Sequence, residues 1–88
     1  MIEKHFTVVD QAGIHARPAS ILVSTANKFE SDIFLVFEGK NTNLKSILGV
    51  MSLGVGTGEK ISIRSEGPDE EKALDELEKV LRREDLAI

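Results

Sequence analysis

Hydrophobic and polar positions alternate over residues 2–9. Ile2, Phe6 and Val8 share one face, with Lys4 the exception, and Glu3, His5 and Thr7 share the other. Period-two alternation predicts a half-buried strand. Residues 10–13 are turn-like, and Ala19, Leu22, Ala26 and Phe29 then recur at helical spacing, which predicts an amphipathic helix. Asp32–Phe37 is a β-branched and aromatic run, a second strand that Glu38-Gly39 turns back into a weaker third over Asn41–Leu44. Ser46 suits an N-cap and Gly54 suits the position after a helix end, so Ile47–Leu53 reads as a helix of about two turns. The glycine-rich stretch 54–58 reads as a flexible loop. Alternation returns over Lys60–Ser65, with Ile61 and Ile63 inward. Gly67-Pro68 introduces a last helix with the apolar stripe Ala73, Leu74, Leu77, Val80 and Leu81. Acids in its first turn and Arg82-Arg83 near its end suit the helix dipole.

The resulting order, β-α-β-β-α-β-α, belongs to the α+β class: a four-stranded antiparallel sheet with three helices on one face. No repeat, linker or low-complexity segment interrupts it, so residues 1–88 are expected to form a single domain.

Composition narrows the function classes. There is no cysteine, which removes disulfide scaffolds and thiolate metal sites, and two histidines ten residues apart make no metal site on their own. The start of the chain is charged from its third residue and is expected not to be a signal peptide. The longest apolar run, Ile33 to Phe37, is far shorter than the ~20 residues of a membrane helix. A net charge of −4, with neither Tyr nor Trp, argues against a nucleic-acid partner. The acidity is local: residues 66–85 hold nine acids and four bases, leaving the remaining surface nearly neutral.

Chemistry is then limited to a few polar side chains. In Gly13-Ile14-His15-Ala16-Arg17-Pro18, the proline is tolerated only in the first turn of a helix, so His15 stands at or beside the N-cap. The free N–H groups of that helix end, at Ala16 and Arg17, and the Arg17 guanidinium would hold an anion bonded to the imidazole. The alternative is a solvent-exposed histidine next to a turn. Ser46 is by itself an N-cap stabiliser, and a phosphate there would meet the helix dipole favourably rather than melt the helix. The short helix that it opens is too apolar for one buried side. Val50 and Leu53 are expected inward and Ile47, Leu48 and Met51 outward, as a docking patch; the alternative is a wholly buried helix. Residues 54–58 form no phosphate-binding loop, because they follow a helix and precede a strand.

Gly13-Ile14-His15-Ala16-Arg17-Pro18-Ala19 resembles the active-site signature of HPr, the histidine phosphocarrier family of the bacterial phosphoenolpyruvate:sugar phosphotransferase system. Lys45-Ser46-Ile47-Leu48-Gly49-Val50-Met51-Ser52-Leu53-Gly54 resembles the family's second signature in its Gram-positive form. The resemblance implies an open-faced β-sandwich. It implies a cytoplasmic, monomeric carrier without cofactor, not an enzyme in its own right. His15 would accept a phosphoryl group at Nδ1 from phosphorylated Enzyme I and pass it to the sugar-specific A components, with Arg17 steadying the phosphate. Ser46 would be the target of HPr kinase/phosphorylase, and the Ser46-phosphorylated form a co-repressor with a catabolite control regulator of the LacI type. Ile47, Leu48, Met51 and Ser20 would form the partner-docking surface. A regulatory paralogue has glutamine at the active position, whereas this chain has His15. Two residues depart from the family pattern: Ala12 stands where a hydroxyl or amide is common, and Leu48 where Gram-positive members often have Met. Of two rival readings, a small acyl-phosphate hydrolase leaves His15 without a role, and a pure interaction module accounts for the apolar patch but not for a helix N-terminus aimed at a histidine.

Overall fold

The computed structural model describes residues 1–88. Its elements follow the expected order: β1 (Ile2–Thr7), α1 (Ala16–Ala26), β2 (Asp32–Phe37), β3 (Lys40–Asn43), α2 (Ile47–Ser52), β4 (Lys60–Glu66) and α3 (Glu70–Arg83). The strands form one antiparallel sheet in the order β1-β4-β2-β3. The β2–β3 hairpin turns on two residues with positive φ, Glu38 (50°) and Gly39 (79°), the requirement of a tight type I′ turn.

Register decides which side of the sheet is dry. Phe6 sits opposite Ile61, and Ile63 lies between Lys4 and Leu35. Phe6, Ile61, Ile63, Ile33, Leu35 and Phe37 are all buried on this face. Two helical stripes cover it: Ala19, Leu22 and Ala26 from α1, and the expected five residues from α3. Together with loop residues they form a core of 21 buried apolar side chains. The opposite face is open, and His5 lies exposed there with its Nδ1 2.7 Å from Ser62 Oγ.

Lys4, the exception in the first alternation, now has an explanation. It lies on the helix side of the edge strand, where its Nζ reaches Glu78 at 2.6 Å and Asp75 at 3.5 Å on α3. Its ammonium is held in the charged form, mainly by the hydrogen bond to Glu78.

Several boundaries differ from expectation. The alternating run beginning at Ile2 leaves the sheet after Thr7: Val8 pairs with Ala87, and Thr7 exchanges N–H···O bonds of 2.7 and 2.9 Å with Ile88. The C-terminal tail therefore continues the β1 edge. Helix α1 ends at Ala26, so Phe29 packs against the core from the following turn. The third strand starts and ends one residue early, and Leu44, just past its end, turns into the core with its N–H bonded to the Ile33 carbonyl at 2.8 Å. Residues 54–58 are anchored rather than free: Val55 is buried, and the Gly58 N–H donates to Val8 at 2.8 Å.

Asp69, at the N-cap of α3, does not cap its own helix. Its carboxylate accepts the Glu30 and Ser31 N–H groups at 3.0 and 2.9 Å and the Ser31 hydroxyl at 2.5 Å, tying α3 to the turn before β2. Gly67 permits this approach, since a Cβ there would lie 2.7 Å from Ser31 Cα. These bonds, the Ser31 hydroxyl first, hold the Asp69 carboxyl below its ordinary value of 3.8. A carboxylate favoured by the folded state stabilises it above the unfolded pKa, and that contribution disappears as pH falls through the folded pKa. Asp69→Asn should therefore lower the melting temperature at neutral pH. The gap from wild type should close in acid below the ordinary aspartate range; thermal unfolding followed by circular dichroism at the two pH values checks this.

Candidate functional site

The local chain dictates how His15 is presented. Asp10 opens a turn in which its Oδ1 accepts the Ala12 N–H at 2.9 Å and its carbonyl accepts the Gly13 N–H at 2.9 Å. Gly13 follows with φ 69°, and a Cβ at this position would collide with the Val55 carbonyl and lie 2.8 Å from Gly56 Cα. The adjacent Ile14 N–H donates to that Val55 carbonyl at 2.9 Å. The anchored 54–58 loop is thus the wall against which the His15 segment is pressed.

His15 is the N-cap of α1, in extended conformation (φ −102°, ψ −176°), and its side chain caps nothing. Ala16, Arg17 and Pro18 fill the first turn, so the N–H groups of Ala16 and Arg17 have no partner within the helix and Pro18 has none to leave bare. The imidazole is 43% exposed, free to meet another molecule yet fixed at its base.

Around it lies a shallow polar cleft lined by Asp10, His15, Arg17, Pro18, Arg83, Glu84 and Asp85. The charged residues from the end of α3 carry no periodic signal of their own. Only the tertiary packing of α3 beside α1 brings them here. Asp10 was likewise hidden inside a turn-like stretch. Its Oδ2 lies 3.6 Å from His15 Nε2.

Ser46 and its neighbours stand apart from this cleft. Ser46 caps α2, its Oγ accepting the Gly49 N–H at 3.2 Å. Lys45, just before it, is held at the other end of α1: its carbonyl accepts from Asn27 Nδ2, and its ammonium donates to the Phe29 carbonyl at 2.7 Å. Within α2 only Val50 is buried. Leu53, its C-cap, is half-buried against the core, while Ile47, Met51 and above all Leu48, at 81%, are exposed. Ser20 is exposed on α1.

The sequence model described as PTS HPr component phosphorylation site matches residues 2–83. The histidine-containing phosphocarrier protein of Mycoplasma is 35% identical and superposes with a TM-score of 0.94, covering 97% of both chains. The phosphocarrier protein HPr of Bacillus anthracis is 46% identical with a TM-score of 0.83, over 90% of this chain and 94% of that one. Crh, the catabolite repression protein of Bacillus subtilis, is 42% identical with a TM-score of 0.74, over 96% of this chain and 97% of its own. It was solved as a domain-swapped, intertwined dimer.

The wall behind His15 makes a stability forecast. Gly13→Ala introduces both a positive-φ penalty and a backbone collision, and should destabilise by about 1–3 kcal/mol in denaturant unfolding. Gly56→Ala, where a Cβ meets nothing within 4 Å, should stay within about 0.5 kcal/mol of wild type.

Proposed function

The chain belongs to the HPr family of phosphotransferase-system phosphocarriers, and on that premise we propose how its two sites are used. His15 accepts a phosphoryl group from phosphorylated Enzyme I and passes it to the sugar-specific A components. One observation carries this reading: a half-exposed imidazole that heads α1 without capping it, beside unpaired N–H groups and Arg17. The N–H groups of Ala16 and Arg17 offset the charge of a phosphate on the ring, and the Arg17 fork binds its oxygens. Each transfer is completed with the partner's active site, so the chain is a cytoplasmic carrier and no enzyme in isolation. It acts as a monomer and needs no cofactor.

Ser46 is the regulatory position in this proposal. HPr kinase/phosphorylase phosphorylates it, and the product serves as co-repressor with a LacI-type catabolite control regulator. Ile47, Leu48, Met51 and Ser20 form the docking surface. Because Ser46 already heads α2, an added phosphate faces the positive end of the helix and does not unfold it. Its effect on transfer comes from new charge beside an apolar docking patch.

Incubation with phosphoenolpyruvate and Enzyme I, followed by mass spectrometry, tests the carrier reading. An acid-labile phosphate should appear on His15 alone and vanish in His15→Ala; labelling of His5 in that variant would refute the assignment. Arg17→Lys should fold normally and transfer roughly tenfold more slowly, because a point charge replaces a bidentate fork. Ser46→Asp should melt at or slightly above the wild-type temperature while accepting phosphate much more slowly. A large drop in melting temperature would mean that the serine acts by unfolding.

A further inference from the structure

Asp10 is the one acidic residue with an oxygen within 4 Å of a His15 ring nitrogen, its Oδ2 lying 3.6 Å from Nε2. Its other oxygen is committed to the Ala12 N–H, and its carbonyl to the Gly13 N–H. The carboxylate is therefore pinned, one oxygen closing the turn and the other facing the imidazole. His15 is pinned too, as the residue at which α1 begins.

We propose that Asp10 is a positioning residue that selects the His15 tautomer with its proton on Nε2, leaving the Nδ1 lone pair free to accept the phosphoryl group. This rests on the carrier reading of His15. A neutral imidazole has one N–H and one lone pair. A carboxylate facing Nε2 attracts the N–H and repels the lone pair, and at 3.6 Å it does so by Coulombic attraction rather than a hydrogen bond. In the transfer, the Nδ1 lone pair forms the bond to phosphorus while the donor's bond to phosphorus breaks and its electron pair returns to the donor. No proton has to leave Nδ1. The ring keeps its Nε2 proton and gains positive charge, which Asp10 offsets. The other charged groups on the cleft are Arg17 from α1 and Arg83, Glu84 and Asp85 from the end of α3; Arg83 is paired with Glu84 at 3.4 Å.

Asp10→Asn separates this role from a structural one. Its Oδ1 can keep the Ala12 N–H, which turns the amide NH2 toward Nε2, and a donor there favours a lone pair on Nε2 and the proton on Nδ1. Ring nitrogen-15 NMR well above the ordinary histidine titration range should find wild type mainly as the Nε2–H tautomer and Asp10→Asn mainly as Nδ1–H. Phosphoryl acceptance should fall on the order of tenfold or more, as when a histidine is held in the wrong tautomer. Asp10→Ser, which offers an acceptor to Ala12 and nothing to Nε2, guards against misfolding of the first variant. Its Nε2–H population should fall below that of wild type. Unchanged ring spectra in both variants would overturn the proposal, as would an inverted tautomer with an unchanged transfer rate. A wild-type chain that takes no phosphate on His15 would instead refute the carrier reading, while the spectra still decide the tautomer.

Discussion

The apolar rows of the sheet's inner face, with Phe6 opposite Ile61 and Ile63 opposite Leu35, have to be covered, and the rest of the structure answers to that requirement. Only α1 and α3 carry stripes wide enough to do it. Laying both on the same face leaves the other face in water and puts the two helices side by side. The start of α1 then meets the end of α3, and the polar cleft of His15, Arg17, Arg83, Glu84 and Asp85 forms where they meet. The site is a by-product of how the core is closed. It needs no cavity, since His15 projects from a helix end at the rim.

Precision at that rim comes from backbone rather than side-chain packing. Gly13 sits so close to Val55 and Gly56 that no other residue fits there, and the Ile14 N–H closes the contact. The imidazole can be half-exposed and still start from a fixed Cα. A second tie of the same kind, Asp69 on Ser31 across Gly67, fixes the start of α3. Thus each covering helix has one end secured by a glycine that lets two backbones approach, while its apolar stripe secures the rest.

Legibility in the sequence follows the range of the interaction. The α3 stripe, the exposure of Ile47, Leu48 and Met51, the N-cap at Ser46 and the position of His15 before Pro18 could all be read, because each is decided within one helical turn of neighbours. The same local logic misjudged Phe29, whose spacing suits a helix that in fact stops at Ala26. What could not be read depends on contacts across the fold. Lys4 looked like an error in an alternating strand until Glu78 appeared opposite it, 74 residues away in the chain. Residues 54–58 looked loose because glycines dominate them, yet Val55 holds Ile14 from far along the chain. Asp10 gave no signal beyond a turn, since its bearing on His15 arises only after the loop has closed.

The lone inward lysine and the paired C-terminal tail have a bearing on how the molecule keeps its sheet finite. A sheet ends safely only if its outermost strands discourage a stray strand from adding to them. On one side, the tail continues the β1 edge through Val8, and further back the exposed Lys4 places a charge on the edge strand, paired with Glu78 of α3, a poor template for another chain. On the other side, β3 is four residues long and reads Lys40-Asn41-Thr42-Asn43, with nothing apolar to reward pairing. A protein that leaves Ile47, Leu48 and Met51 exposed gains from both borders being unattractive to copies of itself. That exposed apolar cluster can then stay greasy without the sheet becoming a seed for fibres.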